Sequence, residues 1–117
     1  PEATVYIWSD MLDPNHNARG NYYMVDGDYT GSWLHIPKDI VPVCWYYAKR
    51  EESLSFFSGL GFETLAGAYY DGDTLDNPRG WLEALDETPG ARGTMYTTWQ
   101  NKYELLPAFG DLVREWE

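Results

Sequence analysis

The chain has little positive charge, a single cysteine and no long apolar run. Eight Lys and Arg stand against nineteen Asp and Glu, which gives a net charge of −11 over 117 residues. A surface this acidic repels phosphate groups, so neither nucleic acids nor anionic membranes are expected partners. No stretch is apolar for long enough to span a bilayer. Cys44 has no partner for an intramolecular disulfide, and its apolar surroundings predict a packed, unreactive thiol.

Signals of several other protein classes are also missing. The sequence shows no signal peptide, no Ser-His-Asp order, no phosphate-binding glycine loop and no Cys-His couple. Asp10, Asp13 and His16 have the spacing of metal ligands, but three mixed ligands in one loop are a weak signal. We therefore expect neither a metal nor a cofactor. His16 is a candidate for contact with the substrate, and the alternative is a hydrogen-bonding group of the loop. The chain begins at Pro1, which favours a piece of a longer protein, and its compartment stays unknown.

Aromatic residues, by contrast, are abundant and recur at the ends of apolar runs. They make up 17% of the chain, and four apolar runs end in them or in polar side chains. These runs predict strands at residues 4–9, 41–46, 63–69 and 93–98. Helical patterns follow three of them, at about 51–61, 77–87 and 102–116.

This alternation of apolar strands and helices indicates an α/β fold with a parallel sheet. We predict a single domain over residues 1–117, built as the half of a TIM barrel with about four parallel strands and three main helices. A small open α/β sheet fits the same spacing. Four parallel strands alone leave two open edges, so a half-barrel is expected to need a partner.

The strand ends predict one binding pocket, because sites of α/β barrels lie at the carboxyl ends of the strands. Trp8, Trp45 and Trp99 stand at these ends and offer flat indole faces for stacking on a sugar ring. Asp10 and Asp71 provide carboxylates that accept hydrogen bonds from hydroxyls. The alternative interpretation is packing between strand ends and helices for the indoles and turn capping for the carboxylates. Three further tryptophans, on loop or helix, are predicted to be structural: Trp33, Trp81 and Trp116.

Five segments at or near the strand ends share a pattern of aromatic and polar residues: Ile7-Trp8-Ser9-Asp10-Met11, Asn15-His16-Asn17-Ala18, Asn21-Tyr22-Tyr23, Ala68-Tyr69-Tyr70-Asp71 and Met95-Tyr96-Thr97-Thr98-Trp99. Together, these segments resemble glycoside hydrolase family 20 and its β-N-acetylhexosaminidase-like relatives. The likeness covers nearly the whole chain and corresponds to the C-terminal half of that family's catalytic (β/α)8 barrel.

The resemblance implies a substrate-assisted hydrolysis, in which the acetamido group of the sugar attacks its own anomeric carbon. Tryptophans then wall the acetamido pocket, and a strand-end tyrosine binds the attacking oxygen. Tyr69 and Tyr70 point to opposite faces of a strand, and we assign this catalytic role to Tyr70. Tyr96 is the alternative for the same contact and a further candidate for substrate binding.

The sequence departs from the family at its catalytic acid, since no Asp-Glu pair follows an apolar strand. The neighbours Asp86 and Glu87 end a predicted helix and are expected on the opposite side of the barrel. The first hypothesis is therefore that the chain contributes the sugar-binding side of an N-acetylhexosamine-type site and is inactive alone. The expected protein partner of the chain is a second copy, as a homodimer, or the missing N-terminal half-barrel, and only the missing half could supply the acid. The alternatives are a non-catalytic, self-associating half-barrel that binds carbohydrate or is structural, and a small α/β protein whose aromatics are only core.

Overall fold

The described chain contains four strands and three α-helices, which alternate from the second strand onward. The structure is a computed structural model and describes residues 2–20 and 27–116. The strands are β1 (Val5–Trp8), β2 (Ile40–Cys44), β3 (Thr64–Tyr69) and β4 (Ala91–Thr97). The helices are α1 (Arg50–Gly59), α2 (Asp76–Asp86) and α3 (Leu106–Trp116). Short 3-10 helices at Asp10–Leu12, Ser32–His35 and Tyr47–Lys49 lie in the connections.

The strands form one parallel sheet in the order β1-β2-β3-β4, so that neighbours in sequence are neighbours in space. The predicted α/β fold with four parallel strands and three main helices, as in part of a (β/α)8 barrel, is confirmed. The largest boundary error is at α3, which begins at Leu106 rather than at residue 102. Pro107 lies in the first turn of α3, where a residue without an N–H is tolerated.

The hydrophobic core lies between the sheet and the helices. The sheet contributes small residues, with Cys44, Ala66 and Ala68 fully buried. The helices and the turn after α1 supply larger side chains, and small and large residues therefore interdigitate across the interface. These larger core residues are Leu54, Phe57, Phe62, Trp81, Leu82, Leu85, Phe109 and Leu112.

The opposite face of the sheet is open. Side chains of β1, β2 and β4 line a concavity of about 460 Å³ there, and none of the three α-helices contributes to its lining. Its largest members, Tyr6, Trp8 and Met95, are exposed in spite of their apolar surface. The layer of helices therefore covers one face only, as expected when a barrel wall is cut in half.

Gly80 lets α2 approach the chain that leads into α1. A Cβ at this position would lie 2.1 Å from the hydroxyl oxygen of Tyr47. The Tyr47 ring is fixed, because it packs edge-on against Trp81 and lies 4.2 Å from the guanidinium carbon of Arg50. The same guanidinium donates a hydrogen bond to the Gly80 carbonyl at 3.2 Å.

We expect Gly80→Ala to lower the free energy of unfolding by about 1–3 kcal/mol, the usual cost of overpacking. This cost exceeds the gain in helix propensity of about 1 kcal/mol that alanine brings. Urea denaturation followed by circular dichroism measures the change. Gly59→Ala, in a helical position with no neighbour within 4 Å of the new Cβ, is the matched control and should be neutral or stabilising. Equal effects of the two substitutions would contradict this account.

Candidate functional site

The carboxyl ends of the strands surround a cavity of about 190 Å³, called here the strand-end cavity. Every strand contributes to it, either directly or through the residues that follow. In the part of the chain that the structure describes, its walls are mostly aromatic, with one carboxylate and two hydroxyls, those of Tyr70 and Thr97, among them. The lining residues are Trp8, Asp10, Trp45, Gly67, Tyr70, Thr97 and Trp99. Five of the eight side chains predicted for the site are therefore brought together here: Trp8, Asp10, Trp45, Tyr70 and Trp99.

Gly67 forms the floor of the cavity and was not predicted from the sequence. A Cβ at this position would lie 3.0 Å from Cζ3 of Trp8 and 3.5 Å from Cβ of Trp45. The absent side chain allows the Trp8 indole to lie directly on β3. A glycine within an apolar strand often marks such a close approach, and this signal identifies Gly67 in retrospect.

Asp10 is the carboxylate of the cavity and follows β1 in a 3-10 helix. Its Oδ2 accepts a hydrogen bond of 3.0 Å from Nδ2 of Asn17, and its Oδ1 lies 3.4 Å from the donor Nε1 of Trp45. The amide N–H of Asn17 also donates to the Asp10 carbonyl at 2.9 Å. The Asp10 carboxylate is thus oriented by the side chains of Asn17 and Trp45, both neutral donors.

The side chain of Tyr70 lies in the cavity because the backbone at the end of β3 adopts positive φ angles. Tyr69, Tyr70 and Asp71 have φ values of 82°, 55° and 62°, a region that residues other than glycine rarely adopt. Each such residue costs about 1–3 kcal/mol, so the surrounding structure must impose the conformation. Tyr69 is buried, while Tyr70 is 54% exposed and its ring centroid lies 6.2 Å from that of Trp45.

Asp71 holds this strained segment against the end of β4. Its carboxylate accepts hydrogen bonds from the hydroxyl of Thr98 and from the amides of Trp99 and Gln100, at 2.8 and 3.2 Å for the two amides. The ammonium group of Lys102 donates to the Asp71 carbonyl at 3.3 Å. Asp71 was predicted to bind substrate, but the structure directs its carboxylate to the loop that carries Trp99.

Asn77 fixes the other side of the same segment. Its side-chain oxygen accepts a hydrogen bond of 2.8 Å from the amide of Tyr69. The sequence Asn77-Pro78 predicts a helix cap, but α2 begins one residue earlier, at Asp76. The Asn77 side chain therefore stabilises the end of β3.

His16 and Tyr96, the other two predicted site residues, do not line the strand-end cavity. His16 is buried behind it, with its ring stacked on Tyr46 and edge-on to Trp45 at centroid distances of 4.7 and 4.5 Å. Burial lowers the pKa of His16, against the opposing charges of Asp10 and Asp13. His16 thus supports Trp45 from behind.

Tyr96 points to the helix side of the sheet, because alternate residues of β4 face opposite sides. Its ring stacks on Tyr69 at 4.3 Å, and its hydroxyl donates to the Lys102 carbonyl at 2.6 Å. Burial raises the pKa of Tyr96. Thr97, one residue later, faces the cavity instead, and nothing in the sequence distinguished it.

Asp86 and Glu87, which the sequence placed outside the site, lie far from the strand-end cavity. Asp86 and Glu87 are exposed at the end of α2, before β4 begins and therefore at the amino ends of the strands. Asp86 accepts a hydrogen bond of 2.7 Å from Nε1 of Trp116.

Cys44 is buried in the core, and this burial raises the pKa of its thiol to about 12. The thiolate is therefore not formed near neutral pH.

The loop between β1 and β2 contributes no metal centre within the described residues. The carboxylate of Asp13 is buried and accepts hydrogen bonds from the Ser53 hydroxyl and the Asn15 amide. Residues 2–20 and 27–116 contain no group of three or more side chains placed to hold a metal ion. The segment Asn21-Tyr22-Tyr23 lies outside the described residues.

Comparison of the chain with models of known protein families, with curated proteins and with solved structures finds no match. Within the described residues, none of the helices has the length and apolar character needed to cross a membrane.

We expect Asp71→Asn to lower the free energy of unfolding at pH 7, because an amide replaces one of the two acceptor oxygens. Partial desolvation tends to raise the pKa of Asp71, but its hydrogen bonds and the charge of Lys102 hold that pKa below its usual value. A carboxyl with a lowered pKa stabilises the fold above its unfolded pKa of about 3.9, and this contribution is lost as the pH falls through the folded pKa. The difference between wild type and variant should therefore shrink below about pH 4.

Urea denaturation at a series of pH values measures this difference. Asp73→Asn is the matched control, because Asp73 is exposed in the same loop. It should show no comparable change with pH. A difference between Asp71→Asn and wild type that is absent at pH 7, or constant over the whole range, would refute the role given to this carboxylate.

Proposed function

We propose that the chain supplies the sugar-binding side of an N-acetylhexosamine-type site in a glycoside hydrolase-like barrel. The observation that carries the proposal is the strand-end cavity, which combines three tryptophans, one tyrosine and one carboxylate. Indole faces stack on the apolar face of a pyranose, and the carboxylate accepts hydrogen bonds from hydroxyls. The volume of about 190 Å³ is below the range of pockets for drug-sized ligands, which favours a single sugar ring.

The type of sugar comes from the resemblance to glycoside hydrolase family 20 at the strand ends. In the proposed complex, Tyr70 donates a hydrogen bond to the acetamido oxygen of the sugar, as the resemblance implies. Trp45 lies beside Tyr70, which is consistent with one wall for the acetamido group. The substrate's own acetamido oxygen is then the nucleophile, and Tyr70 orients it.

The proposal places the catalytic acid outside the described residues. Among the described residues, Asp10 is the one carboxylate that lines the cavity, and the adjacent pair Asp86 and Glu87 lies at the other end of the sheet. A general acid must lie within hydrogen-bonding reach of the leaving oxygen. We therefore expect the acid from the other half of a closed barrel and no hydrolysis by this chain alone.

A second candidate is a non-catalytic half-barrel that binds carbohydrate or is structural and associates with a second copy. It is favoured by the open concavity of about 460 Å³ lined by Tyr6, Ile7, Trp8, Val43 and Met95. β1 and β4 are the edges of the sheet, and parallel sheets are normally covered on both faces. Pairing of β1 with β4 of another copy would close eight strands and cover this face.

Isothermal titration of the chain with N-acetylglucosamine tests the proposed function. We expect saturable binding, and Trp45→Phe should weaken it about tenfold, or about 1.4 kcal/mol, through loss of indole surface and of the donor to Asp10. Trp33→Phe is the control, since Trp33 packs against Phe56 away from the cavity. Absence of binding by wild type, or equal affinities of the two variants, would contradict the proposal. Light scattering on the same sample separates the candidates, because a dimer is expected only for the second.

A further inference from the structure

Trp8 lines two cavities of the structure at once. It forms part of the wall of the strand-end cavity, and it also lines the open concavity on the uncovered face of the sheet, together with Tyr6 and Met95. Its indole lies directly on Gly67, yet the side chain is still 50% exposed. A ligand in the strand-end cavity and a partner on the open face would therefore both contact the Trp8 indole.

The support of Trp8 comes from one side of the sheet only. Trp8 is the last residue of β1, an edge strand, and its backbone pairs with Val43 of β2. One residue later, the amide of Ser9 donates to the Val43 carbonyl at 3.0 Å. Within the described sheet, no strand lies on the other side of β1. The rest of the indole surface is therefore ordered only by what covers the open face.

The distribution of charge allows a second copy of the chain on this face. Nineteen residues of the chain are acidic, but among the strands that the structure describes none contains Asp or Glu. The edge strand β1 also lacks Lys and Pro, the residues with which natural edge strands oppose pairing. The net charge of −11 is therefore carried by the helices and loops, and the strands of two copies bring no acidic side chains together.

The curvature of the sheet also suits a second copy. β1 and β4 are the two edges and do not pair with each other, yet the guanidinium carbon of Arg92 on β4 lies 5.7 Å from the ring centroid of Tyr6 on β1. A twofold axis along a barrel places β1 of each copy beside β4 of the other, so that the same two edges pair at both seams. The result is a barrel of eight strands, a number at which side chains fill the interior.

We propose that a second copy of the chain covers the open face, and that this association is coupled to sugar binding through Trp8. The second copy packs on the side of the indole that faces the concavity and holds it against Gly67. A sugar then stacks on an indole that is already ordered, so binding costs less side-chain freedom. This inference rests on the proposed function for the sugar site and on its second candidate for the partner.

Coupling of two binding events is reciprocal, and this gives two linked measurements. We expect N-acetylglucosamine to bind each site of the dimer about fivefold more tightly than it binds the single chain, as for the ordering of one large side chain. Because the dimer has two such sites, a saturating concentration of the sugar should lower the dimer dissociation constant about 25-fold.

Sedimentation velocity over a dilution series, with and without the sugar, measures the dimer dissociation constant. Titrations followed by tryptophan fluorescence, at chain concentrations below and above this constant, measure the affinity for the sugar. Both are made near physiological ionic strength, where exposed charges more than about 8 Å apart are largely screened.

Tyr6→Lys separates the two sites, because Tyr6 lines the open concavity and not the strand-end cavity. The lysine charge at an exposed position of an edge strand should keep the chain monomeric and leave it with the weaker sugar affinity of diluted wild type. Tyr6→Phe is the matched control and should retain both the dimer and the tighter binding. The two measurements on wild type remain decisive if the lysine variant does not fold.

The outcomes separate this inference from the proposed function. A dimer that binds the sugar no more tightly than the single chain overturns the coupling and leaves the sugar site intact. A chain that binds the sugar but stays monomeric overturns the second copy as occupant and assigns the open face to the other half-barrel. Absence of sugar binding by single chain and dimer alike overturns the proposed function, and the coupling with it.

Discussion

The three hydrogen bonds that the Asp71 carboxylate accepts are the constraint on which the site depends. They join the end of β3 to the loop after β4 and hold three successive residues at positive φ. The cost of this backbone, about 1–3 kcal/mol per residue, is offset by the hydrogen bonds at Asp71 and Asn77. These hydrogen bonds thereby fix Tyr70 and Trp99 on the cavity walls, although both residues lie beyond the ends of their strands.

The rest of the cavity depends on the difference in side-chain size between the two faces of the sheet. Small residues of the central strands pack under the helices, and the other face carries large aromatic side chains with no helix above them. Gly67 is needed on the open face, because the absence of a side chain there allows the indole of Trp8 to pack directly on β3. The carboxylate of Asp10 is then placed against aromatic rings and neutral donors. This is a suitable environment for a polar ligand with an apolar face.

Much of the fold was predictable, because apolar strands that alternate with helices leave few arrangements other than a parallel sheet. Strand ends also predicted Trp45 and Tyr70 in one cavity. Tyr96 was predicted for the same site, and the structure places its ring against Tyr69 on the helix side, since residues that follow each other on β4 face opposite sides. The position of Asp71 after an apolar strand is typical of a ligand contact. Only the three-dimensional structure shows that its carboxylate accepts hydrogen bonds from two backbone amides. Gly67 was not predicted, because a glycine in a strand does not show from the sequence alone which side chains pack against it.

The central claim is that the strand-end aromatic residues bind a ligand as one group. Nitrogen-15 spectra report on the indole N–H groups of the six tryptophans and can be followed during titration with N-acetylglucosamine. We predict that the signals of Trp8, Trp45 and Trp99 shift together and saturate at one ligand concentration. Those of the three tryptophans outside the cavity should stay in place: Trp33, Trp81 and Trp116. Unchanged signals of the first three, or similar shifts of all six, would contradict the account.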